Sequence, residues 1–532
     1  MRRLVLVLLL AAFVPLFQAD PRPGAEAAAF KLGNERLMEE YHHLIAGKRV
    51  GLVTNQSGVN SRGESTIDVL AKDKTVRLTA LYGPEHGIDG KAKAGEYVES
   101  YVHPALKIPV YSLYGATRMP TAEMLRGVDV LLFDVQDIGA RSYTYMSTLN
   151  YCMVAAAKHK VPVVVLDRPN PLGGVIVEGP VLEDRFVSFV GVDNLPMSHG
   201  MTAGELARFY NRKIGADLTV VPMAGYARTM IFQDTGLKWV QTSPNIPDLE
   251  AVFGYGATGL GEGTGIFQAD KFRWIGGKGV DARKFADLLN RAGLPGVVFV
   301  PETRGDAGGV RLNIVNYRTF NPARSGIYAL AYARSLSGFK VPKSTPNNIV
   351  MFDKIMGTDK MGQYLEEGLS PGEIEARYAP ALNRFKAERE KYLIYGYEPG
   401  RPFKPGAVLV LVDGRAVVSD VAPYIDANNR VMAPLRAIVE ALGAQVDYET
   451  RSKTITITRA GKKSVFTVGS TTAVFDGTAV TLDTSPVIKD GRTMVPARFT
   501  AESVGAKVHW DGGTRIATVI SPQVGFRPRS NG

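Results

Sequence analysis

Residues 128–139 read VDVLLFDVQDIG, an apolar run that ends abruptly in polar residues and glycine. Three further segments follow the same scheme: RVGLVTNQSG (49–58), VRLTALYGPEHG (76–87) and VPVVVLDRPNP (161–171). Helical stretches separate these short β-branched runs. The alternation predicts an α/β fold in which helices cover both faces of a mostly parallel sheet.

The ends of these four strands are the place where a ligand is expected. In an open α/β sheet, ligands bind in the crevice outside the carboxyl ends of the strands, so the four polar ends should converge on one site. No Gly-x-Gly-x-x-Gly follows the first strand, and the chain has no Walker loop. The sheet therefore shows no dinucleotide-binding signal, and we expect no cofactor.

Carboxylates are well placed for chemistry at this site. Glu85, Asp134, Asp137 and Asp167 lie at or just after strand ends, and Glu178 follows shortly after the fourth strand. Acid/base cleavage of a glycosidic bond needs two carboxyl groups whose environments push their pKa values apart. For Asp134 and Asp167 the alternative role of accepting backbone N–H bonds to orient loops is equally well supported. For Glu85 the catalytic interpretation is favoured.

Other catalytic chemistries find little support. Cys152 is the only cysteine and lies within the apolar stretch LNYCMVAAA, so it forms no intramolecular disulfide and is a poor candidate nucleophile. A Gly-x-Ser-x-Gly elbow is absent. The histidines are too scattered to predict a metal site.

The first residues predict export. Residues 1–29 combine a basic start at Arg2 and Arg3 with an apolar stretch too short to span a bilayer, as in a secretory signal peptide. We expect a secreted bacterial protein, extracellular or associated with the cell wall, without a membrane span. The 63 basic and 52 acidic residues give a net charge of +11, which makes anionic wall polymers candidate partners. No nucleic-acid motif is visible.

The chain divides into several predicted segments. They are the signal peptide (1–29), a Rossmann-like catalytic domain (30–215), a smaller α+β auxiliary domain (216–397), a flexible linker (398–405), a two-repeat α+β domain (406–521) and a tail (522–532). Capping-box spacing predicts helix starts at Thr202 and Ser370.

The repeat domain contains an internal duplication. The segment NRVMAPLRAIVEALGAQVDYE, from Asn429, matches GRTMVPARFTAESVGAKVHWD, from Gly491, at a spacing of 62 positions. In each copy the pattern predicts a helix and then a strand, so the domain should be pseudo-symmetric. This part resembles the copper amine oxidase N-terminal-like domain, although it has one histidine and no cluster of metal ligands.

The region from about residue 34 to 397 resembles a known enzyme family. Its motifs include LYGPEHGIDG, YSLYGATRMPT, DVLLFDVQDIGARSYTYMSTL, VVVLDRPNPLGG, VEGPVLE, HGMTAGELA and SPNIPDLEAVFGYGATGLGEGT. In order and spacing they are similar to the exo-acting β-N-acetylmuramidases of glycoside hydrolase family 171, long catalogued as a domain of unknown function. The chain departs from the family pattern after Glu262, where it reads EGTGIFQADKFRWIGGK (262–278).

The resemblance implies a Rossmann-like domain without a nucleotide and a smaller auxiliary domain that helps to close the cleft. The activity that it implies is removal of N-acetylmuramic acid from the non-reducing end of peptidoglycan fragments. Carried onto this sequence, it makes Glu85 and Glu178 the catalytic candidates. The candidate substrate-binding residues are Asn55, His86, Asp134, Gln136, Asp137, Arg141, Tyr143, Arg168, Asn170 and His199. Arg141 and Arg168 are the predicted partners of the lactyl carboxylate that distinguishes muramic acid from glucosamine. For Arg168, an ion pair with a neighbouring aspartate is an equally well supported alternative.

Two other function classes remain open from the sequence. One is a catalytically silent sugar-binding or wall-binding protein that keeps the cleft without the chemistry. The other is a wall amidase or peptidase, which the missing zinc ligands and nucleophile triad disfavour. Release of dye from a chromogenic N-acetylmuraminide separates the glycosidase from both alternatives.

Overall fold

The structure is a computed structural model that describes residues 29–522. All but the last residue of the predicted signal peptide and all but the first of the predicted tail therefore lie outside the described residues. The described part contains a large parallel sheet, a smaller antiparallel sheet and a β-rich C-terminal region with three sheets.

The large sheet confirms the predicted α/β class. Its strands are β1 (Arg49–Thr54), β2 (Arg77–Gly83), β3 (Tyr101–Val102), β4 (Pro109–Ser112), β5 (Val130–Asp134), β6 (Val163–Leu166) and β7 (Leu218–Val221). They lie in the order β3-β4-β2-β1-β5-β6-β7, and all neighbours are parallel except β3 and β4. The chain builds outward from β1 on one side and then returns to β5 on the other. The topological switch point therefore lies at the carboxyl end of β1.

Helices pack on both faces of this sheet. They are α1 (Gly33–Glu39), α2 (Thr66–Lys72), α3 (Tyr145–His159) and α4 (Ala203–Ile214). Alternate residues of each strand point to opposite faces: Leu132 packs in the cluster that contains Leu37 of α1, and Phe133 packs in the cluster that contains Leu149 of α3. Because both faces are buried, the strands are apolar without interruption, as the sequence pattern predicted. The predicted capping box of α4 is present at Thr202 and Glu205.

The predicted boundary at residue 215 differs from the observed sheet. Strand β7 lies beyond that boundary, yet it pairs with β6 in the same sheet. Strand β7, with the sequence LTVV, follows α4 closely in the chain. A strand–helix–strand unit is complete only when the strand after the helix joins the sheet. The first structural unit therefore extends past residue 215.

The second unit is α+β. Its elements are α5 (Leu249–Thr258), β8 (Ile266–Ala269), β9 (Trp274–Lys278), α6 (Ala282–Arg291), β10 (Val297–Arg304), β11 (Ala307–Ile314), α7 (Pro322–Ser337), α8 (Met351–Met356), α9 (Lys360–Glu366) and α10 (Pro371–Arg389). The strands form an antiparallel sheet in the order β10-β11-β9-β8. The segment that departs from the family pattern after Glu262 forms the β8–β9 pair. Helix α10 starts at the predicted capping box, Ser370 and Glu373.

The C-terminal region shows the predicted duplication. Its elements are β12 (Leu409–Val412), β13 (Arg415–Ala416), β14 (Tyr424–Ile425), β15 (Val431–Pro434), α11 (Leu435–Ala441), β16 (Gln445–Glu449), β17 (Thr454–Arg459), β18 (Lys462–Thr467), β19 (Thr472–Phe475), β20 (Thr478–Thr481), β21 (Val487–Lys489), β22 (Arg492–Pro496), α12 (Ala497–Glu502), β23 (Lys507–Asp511) and β24 (Ile516–Ile520). The series β15-α11-β16 recurs as β22-α12-β23, as the repeat predicted. Both copies contribute to one hydrophobic core.

The segment expected to be a flexible linker forms a turn on the first unit. The backbone N–H of Gly396 donates to Arg401 O at 2.7 Å, and that of Phe403 donates to Ile394 O at 3.0 Å. Lys386 of α10 also forms a 2.6 Å ion pair with Asp511 of the repeat domain. The second unit, which contains α10, and the repeat domain are therefore in contact. The composition of the predicted linker did not indicate this turn, because proline and glycine are as common in tight turns as in flexible linkers.

Within residues 29–522, no helix is long and apolar enough to cross a membrane.

Candidate active site

Glu85 lies where the sheet topology places a ligand site. It follows β2, the neighbour of β1, and its side chain is buried. The next residue, His86, has a φ of 71°, so the chain turns sharply through the left-handed region directly after the glutamate. The Glu85 carboxylate accepts a hydrogen bond from the backbone N–H of Gly95 at 3.0 Å and another from the hydroxyl of Thr144. Its orientation is therefore fixed by donors from two separate loops.

Three tyrosines form an aromatic wall beside Glu85. The ring of Tyr143 meets that of Tyr145 edge-on, at 4.8 Å between centroids, and that of Tyr255 at 5.8 Å. The Tyr143 hydroxyl donates to Thr242 Oγ1 at 2.8 Å. Burial raises the pKa of Tyr143 and of Tyr145, so both hydroxyls stay protonated at neutral pH.

Tyr255, on α5 of the second unit, connects Glu85 with further carboxylates. Burial raises the pKa of Tyr255 to about 12, and the nearby negative charges of Glu85, Asp137 and Glu262 act in the same direction. Its hydroxyl lies 3.1 Å from Ser142 Oγ. The charges of three carboxylates from different loops therefore act on one aromatic side chain, which contacts Ser142 of the first unit.

A cation lies close to the same glutamate. The guanidinium carbon of Arg118 is 3.9 Å from the ring centroid of Tyr114 and 4.4 Å from that of Phe189. Burial raises the pKa of Tyr114, and the neighbouring Glu85 carboxylate adds to this shift. Within residues 29–522, Arg118 forms no ion pair with a carboxylate. It is half-buried and positioned by stacking rather than by charge pairing.

Asn55 and His86 complete the immediate surroundings of Glu85. Asn55 is buried at the end of β1, and its Oδ1 accepts from the backbone N–H of Ser57 at 2.9 Å. Its Nδ2 has no hydrogen-bond partner among the described residues. The His86 Nδ1 lies 2.7 Å from Ala92 O, and since a carbonyl can only accept, this nitrogen carries the proton. Both are consistent with the substrate-binding roles that the resemblance implies.

Asp134 and Arg168 form a buried ion pair between the ends of β5 and β6. The Arg168 guanidinium donates to the Asp134 carboxylate and, at 2.8 Å, to Val59 O. The other oxygen of Asp134 accepts from Thr66 Oγ1 at 2.6 Å. Both side chains are buried with their polar groups in use. Arg168 thus forms an ion pair with a neighbouring aspartate, which is the alternative to substrate binding. Because its guanidinium is already paired, Arg168 is a poor partner for a substrate carboxylate.

Gln136 and Asn170 pin neighbouring loops. Gln136 donates through Nε2 to Asp137 O and to Pro169 O, each at 2.8 Å. Asn170 donates to Met201 O at 3.0 Å and accepts from the backbone N–H of Leu172 at 3.0 Å. Both side chains therefore stabilise loops at the strand ends through hydrogen bonds to the backbone.

Asp137 and His199 are buried near each other. Asp137 Oδ2 accepts from the backbone N–H of Gly139 at 2.9 Å and lies 3.6 Å from His199 Nε2. Asp137 Oδ1 and His199 Nε2 have no hydrogen-bond partner among the described residues. Unpartnered buried polar atoms are costly, which marks this pair as a place where substrate or water can bind.

Arg141 is committed to backbone carbonyls. Its guanidinium donates to Pro180 O at 2.8 Å, to Leu195 O at 2.7 Å and to Ile355 O. Burial lowers the pKa of this side chain to about 9. It therefore joins loops of the two units, and a substrate carboxylate would have to replace these contacts.

Glu178 lies in a different environment from Glu85. Its carboxylate accepts from the Tyr378 hydroxyl at 2.9 Å, from the backbone N–H of Gly179 at 2.8 Å and from Asn321 Nδ2 at 3.2 Å. Burial raises its pKa. The side chain lines a cavity of about 430 Å³ that is shared with the repeat domain. None of its hydrogen-bond partners is a partner of Glu85.

Sequence reasoning missed Tyr255, whose pKa the Glu85 charge raises, and also Arg118 and Glu262, which are linked to Glu85 through Tyr114 and Tyr255. Arg118 lies in YSLYGATRMPT and the other two in the long motif that ends in GLGEGT, so both segments were visible as motifs. Their approach to β2 depends on loop paths that no local pattern encodes.

Comparisons with known proteins agree with the motif analysis. The family model described as "Exo-beta-N-acetylmuramidase NamZ, N-terminal" matches residues 50–250, and "Exo-beta-N-acetylmuramidase NamZ, C-terminal" matches residues 253–395. The model "Copper amine oxidase N-terminal domain" matches residues 411–519. The peptidoglycan beta-N-acetylmuramidase NamZ of Bacillus subtilis (strain 168) is 41% identical over 386 residues, which are 70% of this chain and 92% of that relative.

Two solved structures share the fold. One DUF1343 family protein of Bacteroides fragilis is 36% identical, with a TM-score of 0.62, and the match covers 69% of this chain and 99% of that one. A second from the same organism is 24% identical, with a TM-score of 0.53 and the same coverage, and supports the fold alone.

Proposed function

Because the chain belongs to the exo-β-N-acetylmuramidase NamZ family, we propose that it is an exo-acting glycoside hydrolase that releases N-acetylmuramic acid from the non-reducing end of peptidoglycan fragments. The observation that carries the proposal is the position of Glu85. This carboxyl is buried at a strand end beside the switch point of the sheet and is oriented by two donors. A site of this kind is where an α/β sheet performs chemistry on a ligand.

Glu85 is the proposed general acid or base. Cleavage of a glycosidic bond needs a proton delivered to the leaving oxygen or removed from the attacking water. The Gly95 N–H and the Thr144 hydroxyl each donate to one oxygen of the Glu85 carboxylate. The carboxyl group therefore has a defined orientation toward the glycosidic bond of a bound substrate. The neighbouring aromatic wall excludes water and offers apolar ring faces to a sugar.

The second group of the reaction is better sought beside Tyr255 than at Glu178. Asp137 and Glu262 share Tyr255 as a neighbour with Glu85, whereas the partners of Glu178 lie toward the repeat domain. Asp137 also has one buried oxygen without a partner among the described residues. Asp137 and Glu262, whose charges act on Tyr255, are therefore the candidates for the second catalytic role.

Arg118 is the proposed partner of the lactyl carboxylate. Arg168 is paired with Asp134 and Arg141 donates to backbone carbonyls, whereas Arg118 forms no ion pair with a carboxylate within residues 29–522. Arg118 also lies next to Tyr114, a neighbour of Glu85. A guanidinium is well suited to a carboxylate because its N–H groups form a planar fork. Recognition of the lactyl group distinguishes an N-acetylmuramic acid residue from N-acetylglucosamine.

The test is hydrolysis of two matched chromogenic substrates. We expect dye release from an N-acetylmuraminide and at least about tenfold less from the N-acetylglucosaminide, because the latter lacks the charged group that Arg118 binds. No release from either substrate, together with binding of muropeptides, would support the sugar-binding alternative.

We further propose that the protein acts outside the cytoplasm, at the cell wall. Support comes from the signal-peptide pattern of residues 1–29 and from the class of substrate. The repeat domain then serves to hold the enzyme near an insoluble substrate, which raises the local concentration of sites without taking part in bond cleavage.

A further inference from the structure

The repeat domain has a pseudo-twofold axis that the strand register defines. In the antiparallel pair β15·β22, Met432 lies opposite Pro496, Ala433 opposite Val495, and Pro434 opposite Met494. Adding the repeat spacing of 62 to a residue of β15 gives its counterpart in β22, so exchanging the two repeats maps this register onto itself. The axis passes between Ala433 and Val495, and the series β15-α11-β16 on one side has the series β22-α12-β23 as its counterpart on the other.

Two surface cavities obey this symmetry. The first, of about 400 Å³, is lined by the β14–β15 hairpin of the first repeat and by the start of α12 and strand β23 of the second. The second, of about 500 Å³, is lined by the β21–β22 hairpin of the second repeat and by the start of α11 and strand β16 of the first. Each cavity is therefore assembled from both repeats, with their roles exchanged.

Corresponding side chains occupy corresponding places in the two cavities. An arginine lies in the first turn of each helix, Arg498 in one and Arg436 in the other. An aromatic residue lies on each strand, Trp510 in one and Tyr448 in the other. Each of these pairs is separated by the repeat spacing of 62 positions.

A surface ion pair borders each cavity as well. Arg430 contacts Asp483 at the first cavity. Arg492 holds Asp420 in a two-pronged contact of 2.9 and 2.8 Å at the second. These pairs leave the helix arginines as the cations available to a ligand. Arg498 has no ion pair within residues 29–522, and Arg436 is 80% exposed and 4.0 Å from Glu440, which is itself mostly exposed.

The two cavities differ in charge. The first contains the three arginines Arg430, Arg498 and Arg515 against the single acid Asp483. The second contains two arginines, Arg436 and Arg492, against two acids, Asp420 and Glu440. The first cavity should therefore attract an anion more strongly.

We propose that these cavities are two unequal subsites for one anionic polysaccharide, whose repeating unit carries a carboxylate or phosphate beside a sugar ring. A guanidinium binds either anion with its planar fork, and the aromatic side chain offers its face to the apolar side of a sugar. Two sites related by symmetry suit a ligand that repeats its own chemistry. The proposal deepens the wall-tethering role above and rests on it.

Two linked subsites explain how weak individual contacts could retain the enzyme on a wall. Once one unit of a polymer is bound, the second site meets the next units at a high effective concentration, which raises overall affinity by about 10²- to 10⁴-fold. Loss of either site should therefore weaken retention strongly. Loss of the first site should weaken it more, because that cavity has the greater excess of arginine.

The test measures sedimentation of the full chain with purified cell-wall sacculi. We expect Arg498→Ala to lower the apparent affinity by more than tenfold, Arg436→Ala by about tenfold, and the double variant to abolish retention. Arg451→Ala is the matched control, since Arg451 is an exposed arginine of the same domain that lines neither cavity. Thermal unfolding of each variant verifies that the domain remains folded.

Two preparations of sacculi distinguish the sources of the anion. Loss of binding after hydrofluoric acid removes phosphate polymers assigns the sites to a phosphate-bearing glycan, and unchanged binding assigns them to peptidoglycan carboxylates. Equal affinity of the parent and both single variants, or an equal loss in Arg451→Ala, would overturn the proposal, as would equally tight binding to uncharged dextran. Sedimentation with sacculi measures binding and does not require turnover. It therefore tests the two subsites even if the protein does not cleave the chromogenic muraminide.

Discussion

Glu85 and Glu178 were predicted from the sequence as a catalytic pair, and the structure places them in contrasting surroundings. Glu85 lies at a strand end, among tyrosines contributed by both units and near a stacked arginine. Glu178 is bound by Tyr378 and Asn321 and lies beside the repeat domain. The hydrogen-bond partners of the two glutamates therefore lead to different expectations for their roles, which substitutions can test.

The largest effect is expected at Glu85. Glu85→Gln keeps the shape of the side chain and one acceptor but cannot transfer a proton, so turnover of a chromogenic muraminide should fall by about 10²- to 10⁴-fold. The melting temperature should stay close to that of the parent. A variant that retains more than about a tenth of parental turnover would remove Glu85 from the mechanism.

Arg118 sharpens the comparison by testing specificity on the Glu85 side. Arg118→Ala should raise KM for the muraminide by about tenfold or more, because a charged hydrogen bond to the lactyl carboxylate is lost. The glucosaminide, which has no such carboxylate, should be affected much less. Arg118→Lys keeps the charge and should recover part of the loss. An equal change on both substrates would show that Arg118 only supports the fold.

Asp167 tests whether a carboxyl at a strand end can be purely structural. Burial raises its pKa from 3.8 to about 7, while Thr202, Gly204 and Tyr395 donate hydrogen bonds to it. Between these two pH values the folded state binds more protons than the unfolded chain, so the free energy of unfolding should fall as pH rises from about 4 to about 7.

Melting temperatures across this pH range provide the measurement. In Asp167→Asn that component of the pH dependence should be absent, although the variant is less stable overall because it loses an acceptor oxygen. Identical pH profiles for parent and variant would mean that Asp167 titrates normally in the folded protein.

The smallest effect on turnover is expected at Glu178. Glu178→Gln can still accept from Tyr378, so activity on the soluble muraminide should stay within about threefold of the parent. The amide nitrogen of glutamine cannot accept from Asn321 Nδ2, so loss of this hydrogen bond should lower the melting temperature by about 2–4 °C. A loss of turnover as large as that of Glu85→Gln would restore the original pairing of the two glutamates.

Much of the fold was predictable from local patterns. The four apolar runs with polar ends became parallel strands, Thr202 and Ser370 start helices, and the duplication near residues 429 and 491 folds as two related halves. These features depend on short-range periodicity and capping, which the sequence displays directly.

The details of the site depended on contacts that are distant in sequence. Whether Arg168 faces a substrate or Asp134 is decided by a partner 34 positions away, and Glu178 meets Tyr378 across 200 positions. Arg118 approaches Glu85 through a loop whose path has no signature of its own. Motifs therefore identified residues that the structure brings to the strand ends, whereas the hydrogen-bond partners of these residues became visible only in the structure.

The most direct test uses a defined disaccharide in which N-acetylmuramic acid is the non-reducing sugar and N-acetylglucosamine the reducing one. The parent protein should release free N-acetylmuramic acid, detected by mass spectrometry. It should leave the reversed disaccharide intact, and Glu85→Gln should release nothing detectable from either substrate. Absence of release by the folded parent, or undiminished release by Glu85→Gln, would contradict the account of a muramidase that works through Glu85.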